Sequence, residues 1–135
     1  MDNNETQKLI DLANEARQKA YAPYSKYKVG AALHTRNGRI FTGVNIENAA
    51  YPTGICAERV AVFKAVSEGD TSFDAIAVVT DNGGSPCGSC RQVLSEFGLD
   101  TRILIADGQG RLVRETSISQ LLPEAFTPKD LNHQD

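Results

Sequence analysis

Residues Ala75-Ile76-Ala77-Val78-Val79 form an unbroken apolar run inside Asp74 to Thr80. A strand with one wet face alternates polar and apolar side chains, so a continuous run bounded by polar residues reads as a central strand covered on both faces. Ile103-Leu104-Ile105-Ala106 repeats the pattern. A chain with two such strands must also supply helices to cover them. Thr6 to Tyr21 carries Leu9, Ile10, Leu12, Ala13, Ala16 and Ala20 at three- and four-residue spacing and is stopped by Pro23. Cys56 to Ser67 places Val60, Ala61, Phe63, Ala65 and Val66 on a mostly apolar helix ended by Glu68-Gly69-Asp70. Cys87 to Phe97 returns to helical spacing through Cys90, Val93, Leu94 and Phe97, with Gly98 as its cap.

Ahead of the buried strands, Val29 to Thr35 and Ile40 to Asn45 read as strands joined by Arg36-Asn37-Gly38-Arg39, where Asn-Gly signals an antiparallel hairpin. After them come a turn at Gly108-Gln109-Gly110, a strand from Leu112 to Glu115 and a short helix from Ser117 to Leu122. The polar end from Lys129 to Asp135 is expected to be partly mobile. The expected fold is therefore α/β: a three-layer α/β/α sandwich around a mixed five-stranded sheet, antiparallel at its start and parallel at its centre. With 135 residues the chain is expected to form a single domain, residues 1–135.

Composition narrows the function. Lys plus Arg number 14 against 17 Asp plus Glu, a net charge of -3, which gives no electrostatic footprint for nucleic acid. No apolar run reaches the length of a membrane span, and Met1-Asp2-Asn3-Asn4-Glu5 is acidic where a signal peptide would be basic, so a cytoplasmic protein is expected. The three cysteines are an odd number, and in a reducing compartment thiols at short spacing are more often metal ligands or redox groups than disulfides.

Their placement is the main chemical signal. Cys56 and Glu58 lie two residues apart where a loop becomes a helix, and Cys87 and Cys90 lie three apart where the next loop becomes the next helix. Cysteines three apart in a first helical turn share a face at the positive end of the helix dipole, which favours thiolates. Three protein ligands leave one position of a tetrahedral zinc ion open for water, the arrangement of a catalytic site. Three thiolates and Zn²⁺ sum to -1, so positive groups are needed nearby; Arg59 and Arg91 are expected to donate to the ligand sulfurs. Glu58 is the expected proton carrier. Other readings stay open. Cys-x-x-Cys alone also suits a redox pair, and Glu58 alone suits an ordinary helix-start carboxylate. A closed structural zinc site would need a fourth ligand, and the two histidines are His34, read as a surface strand residue, and His133 in the tail.

Cys56-Ala57-Glu58-Arg59 with Pro86-Cys87-Gly88-Ser89-Cys90-Arg91 resembles the zinc signature of the cytidine deaminase superfamily. Tyr21-Ala22-Pro23-Tyr24-Ser25, Val29 to Leu33, Gly43 to Tyr51 and Leu121 to Phe126 are similar to the short, homotetrameric members, from about Leu9 to Leu131. The resemblance implies an enzyme that hydrolytically deaminates cytidine and 2'-deoxycytidine to uridine and 2'-deoxyuridine in pyrimidine salvage. It implies one zinc per chain on Cys56, Cys87 and Cys90, with Glu58 shuttling protons. Asn45 and Glu47 match the residues that hold the ribose 3'-hydroxyl, and the Ala57 backbone with Glu58 would meet the pyrimidine edge. Tyr27 stands where the family usually has a phenylalanine against the base, so its hydroxyl needs a partner. Tyr51 and Phe126 match positions that reach a neighbouring subunit's site, which implies a homotetramer with shared active sites. The rival readings are a blasticidin S deaminase, against which Asn45-Ile46-Glu47-Asn48 argues, a polynucleotide-editing deaminase, against which the charge argues, and a zinc-storing or redox-sensing module.

Overall fold

A computed structural model describes residues 1–131. Helix α1 spans Asn3–Arg17, strands β1 and β2 span Gly30–Thr35 and Ile40–Val44, and helix α2 spans Ala57–Ser67. Strand β3 (Phe73–Val79), helix α3 (Gly88–Ser95), strands β4 (Arg102–Ala106) and β5 (Leu112–Ser117) and the short helix α4 (Ile118–Leu121) follow. The five strands form one sheet in the order β2-β1-β3-β4-β5. Strand β1 is antiparallel to both β2 and β3, β3 runs parallel to β4, and β5 is antiparallel to β4. The mixed five-stranded sheet with helices is the fold expected from the sequence, with its one parallel pair formed by the two apolar runs.

The pleat sorts each buried strand into two sets. Ala32, Ala75, Ala77, Val79, Leu104 and Ala106 face α1, where they meet Leu9, Ile10 and Ala13. Ala31, Leu33, Ile76, Val78, Ile103 and Ile105 face the opposite way, against Ala57, Ala61, Val62 and Ala65 of α2, Leu94 of α3 and Ile118 of α4. This explains why the runs lack alternation: both sets are apolar because both faces are covered. The α1 face is rich in alanine, which lets that helix sit close. Burial of a side chain such as Ile76 stabilises the fold by about 1.5–3 kcal/mol.

Several boundaries differ from the sequence reading. Helix α1 begins at Asn3 because Asp2 caps it: the Glu5 N–H donates to Asp2 Oδ1 at 2.8 Å and the Asp2 N–H donates to Glu5 Oε1 at 3.2 Å. It ends at Arg17, before the expected Tyr21, because Tyr21 leaves to bridge Ile46, its N–H donating to Asn45 O at 3.0 Å. Cys56 and Cys87 cap α2 and α3 and are not their first helical residues. His34, read as a surface strand residue, is partly buried: β1 is an interior strand, and the imidazole is 18% exposed with Nδ1 3.5 Å from Asp74 Oδ2. Lys129, Asp130 and Leu131 lie in a 3-10 turn over Pro128–Leu131, opened by the Thr127 N–H donating to Asp130 Oδ2 at 2.9 Å. The rest of the expected mobile end, with His133, lies outside the described residues.

Candidate active site

Two helix starts meet at the site because the chain brings them there by close backbone packing. A Cβ on Gly43 of β2 would lie 2.4 Å from Ala57 O and 2.6 Å from Ala61 N, so only glycine lets the first turn of α2 approach that strand. Just beyond β2, Ile46 exchanges two backbone hydrogen bonds with Ile55, at 2.9 and 3.0 Å, which sets Asn45 to Glu47 beside the approach to Cys56. Strand β3 then runs out into the Asp81–Pro86 loop, which leads to Cys87 at the cap of α3.

The three sulfurs converge. Cys56 Sγ lies 3.8 Å from Cys87 Sγ, Cys87 Sγ lies 3.5 Å from Cys90 Sγ, and all three atoms fall within 4.8 Å of one another. Tetrahedral zinc with Zn–S bonds of about 2.3 Å requires sulfurs about 3.8 Å apart, so the donor set fits that ion. Charge points the same way. The bond with Cys90, helped by the Arg59 guanidinium, holds the Cys56 thiol down at about 5. The bond with Cys56 and burial push the Cys90 thiol far up. Thiolates this close repel one another unless a cation joins them. Zinc held by Cys56, Cys87 and Cys90, one ion per chain, satisfies that requirement.

Glu58 is buried, at 4% exposure, in the first turn of α2. Burial raises its carboxyl to about 7, and the Cys56 thiolate pushes in the same direction. Ala57 beside it is fully buried. Arg59 Nη2 donates to Cys56 Sγ at 3.4 Å, as the sequence suggested. Arg91 does not do the same. Its Nε donates to Pro86 O at 2.8 Å, Nη1 to Leu121 O at 2.9 Å and Nη2 to Ser85 Oγ at 3.2 Å. The guanidinium is turned to the loop ahead of Cys87 and to the end of α4, where neutral oxygens surround it, so the expected bond to a sulfur is not formed.

Asn45 and Glu47 face the Tyr24–Val29 segment. Asn45 Nδ2 donates to Tyr27 O at 2.8 Å, and Asn45 Oδ1 accepts from the Val29 N–H at 2.9 Å. Glu47 Oε1 accepts from the N–H groups of Tyr24 and Ser25 at 3.0 and 3.1 Å, while Oε2 accepts from the Ser25 hydroxyl. These bonds, led by the Ser25 hydroxyl, hold the Glu47 carboxyl below the ordinary carboxylate range. The Tyr27 hydroxyl donates to Asn82 Oδ1 at 2.8 Å and stands where a Cβ on Gly84 would come within 2.5 Å. Tyr51, in a 3-10 turn over Tyr51–Thr53, is 91% exposed, and Phe126 is 58% exposed, so among the described residues both rings lie largely open. Sequence reasoning missed Ser25 and Asn82. Ser25 sits in a quoted motif that gave it no partner; Asn82 lies 55 residues from Tyr27, and no local pattern signals such a contact.

Comparison with known proteins agrees with this geometry. The family description "Cytidine and deoxycytidylate deaminase zinc-binding region" matches residues 3–106. A cytidine deaminase from Sporosarcina psychrophila is 48% identical over 131 residues, 96% of each chain. One from Halalkalibacterium halodurans is 49% identical over 129 residues, 93% of this chain and 97% of the relative. The crystal structure of cytidine deaminase from Burkholderia pseudomallei superposes with a TM-score of 0.85 at 46% identity, covering 93% of this chain and all of that one. Among the described residues no helix is long and apolar enough to cross a membrane. On the full length of this match and on the three-sulfur cluster at its centre, the chain belongs to the cytidine and deoxycytidylate deaminase family.

Proposed function

We propose that the protein hydrolytically deaminates cytidine and 2'-deoxycytidine, releasing ammonia and leaving uridine or 2'-deoxyuridine, as a step of pyrimidine salvage in the cytoplasm. The observation that carries this reading is a buried carboxyl, Glu58, two residues from one of three converging thiols. Zinc on Cys56, Cys87 and Cys90 supplies Lewis-acid activation of water when bound.

The chain's own groups do the rest. Glu58 takes a proton from the attacking water and passes it to ring N3 as the new C–O bond forms at C4. It then takes the proton of the new C4 hydroxyl and delivers it to the amino group, so that the C4 carbonyl forms as the C4–N bond breaks and ammonia leaves. Arg59 and the N-termini of α2 and α3 offset the thiolate charge. The Ala57 backbone meets the pyrimidine edge and the Tyr27 ring stacks on the base. Asn45 and Glu47 hold the ribose hydroxyl: the second Nδ2 hydrogen of Asn45 and the remaining lone pairs of Glu47 are free to donate and to accept. Tyr51 and Phe126 reach a neighbouring subunit's site in a homotetramer, a reading supported by the exposure of both rings.

The test is spectrophotometric loss of cytidine by the zinc-loaded protein, with blasticidin S as the competing substrate, and by Glu58→Gln. The variant should keep one zinc per chain and lose a factor of about 10²–10⁴ in kcat. Near-normal turnover by the variant, or turnover of blasticidin S in preference to cytidine, would overturn the reading.

A further inference from the structure

The two residues that follow Cys90 hold segments far apart in sequence. Upstream, the Asp81–Pro86 loop has no regular structure and delivers Cys87, the exposed one of the three thiols. Its end is fixed by Arg91, which donates to Pro86 O and Ser85 Oγ, while the Arg91 N–H donates to Cys87 O at 3.0 Å. Downstream, the stretch from Leu122 to Thr127 is also irregular and carries Glu124 at a φ of 54°, a left-handed conformation that costs a non-glycine residue energy. Its near end is fixed by the same guanidinium on Leu121 O, and its far end by Gln92 Nε2, which donates to Phe126 O at 2.8 Å. Leu121 O belongs to the last turn of α4, where carbonyls lack helical partners and an arginine can satisfy them.

We propose that Arg91 is a positioning residue that clamps the Cys87 loop and the Leu122–Thr127 segment to one another, so that metal retention and the order of that segment depend on the same guanidinium. Its acceptors are two carbonyls and a hydroxyl, all neutral, at three different directions from one planar group. A fork of five donors can meet them together; a lysine ammonium, a compact charge at the end of a flexible stem, cannot. The clamp therefore acts by geometry, whereas Arg59 acts on a sulfur directly. The proposal uses the cysteines as zinc ligands but is independent of which nucleoside is the substrate, and its test reads no turnover.

Zinc-loaded wild type, Arg91→Lys and Arg91→Gln would be mixed with a chromogenic chelator to follow zinc release. Deuterium uptake would be followed in parallel at Leu122–Thr127, with Phe73–Val79 as the internal reference. Both variants should release zinc about tenfold faster, the scale expected for losing charge-assisted hydrogen bonds. Both should take up deuterium several-fold faster at Leu122–Thr127 while the reference strand stays protected. With cobalt in place of zinc, the sulfur-to-metal charge-transfer band should keep its position in Arg91→Lys and move in Arg59→Gln, because only Arg59 touches a sulfur. Wild-type behaviour of Arg91→Lys would show that charge alone suffices and overturn the clamp. So would faster zinc release with unchanged exchange at Leu122–Thr127, which would remove the coupling. Should the Arg91 variants not fold, stripping zinc from the wild type decides: exchange at Leu122–Thr127 should rise above any rise at Phe73–Val79, and an equal rise or none overturns the proposal.

Discussion

Glu47 and Tyr27 each carry a polar group whose present partner lies within the chain, and both partners have measurable consequences. The Ser25 hydroxyl and two backbone N–H groups keep the Glu47 carboxyl ionised below its ordinary range. A carboxyl depressed in the folded state contributes stability above its unfolded pKa and loses that contribution as pH falls through the folded value. The Tyr24–Val29 segment should therefore loosen at a pH below about 4. The chain has four tyrosines, all between Tyr21 and Tyr51, and no tryptophan, so near-ultraviolet circular dichroism reports this region. The signal should change on acidification before the far-ultraviolet signal does, and Glu47→Gln should show the changed signal already at neutral pH. Tyr27→Phe removes the bond to Asn82, worth about 0.5–1.5 kcal/mol. On the proposed reaction it should raise KM for cytidine several-fold with kcat unchanged, Asn82→Ala should do the same, and the double variant should add nothing. Independent, additive effects would show that the two side chains do not act together. At this scale the sequence identified which residue types matter; it could not show where Arg91 points, because an arginine after a ligand can reach either the sulfur or the loop.

Elements were legible where periodicity reflects burial and less so where a tertiary contact overrides it. The runs of β3 and β4 announce two covered faces, and Asn37-Gly38 announces the β1–β2 hairpin, in which Gly38 takes a φ of 89°. The end of α1 was not legible, because Ala16 and Ala20 continue the helical spacing while the Tyr21–Ile46 bridge, 25 residues apart in number, draws the chain away. The 3-10 turn at Tyr51–Thr53 likewise has no periodic signal. Gly43 illustrates a third case, a residue whose meaning depends on another element. Gly43→Ala would force Ala57 O, 2.4 Å from the new methyl, away from β2, and with it the start of α2. Overpacking of this kind should destabilise the fold by about 1–3 kcal/mol in thermal unfolding. Because Cys56 caps the displaced helix, zinc bound per chain should fall as well. A loss of stability with full zinc occupancy would mean that α2 shifts as a body with its ligands kept in register.

At the scale of the whole molecule, the sheet brings two helix starts together, and this explains why short motifs 31 residues apart could be read as one site. What the described residues leave open is the covering of Tyr51, 91% exposed, and of the larger part of Phe126, 58% exposed. In the proposed assembly these rings complete a neighbour's site, and mixing can test that directly. On the proposed roles, Glu58→Gln chains lack the proton carrier but present Phe126, and Phe126→Ala chains keep Glu58 but do not complete a neighbour. Each variant alone should turn over cytidine poorly. After dissociation and random reassembly in equal amounts, about a quarter of sites should combine an intact Glu58 with an intact neighbouring Phe126, so activity should rise toward that fraction of wild type. Mass measurement of the mixture should show tetramers. Activity that stays at the average of the two variants, in tetramers shown to be mixed, would mean that each site is built from one chain and that Phe126 serves packing alone.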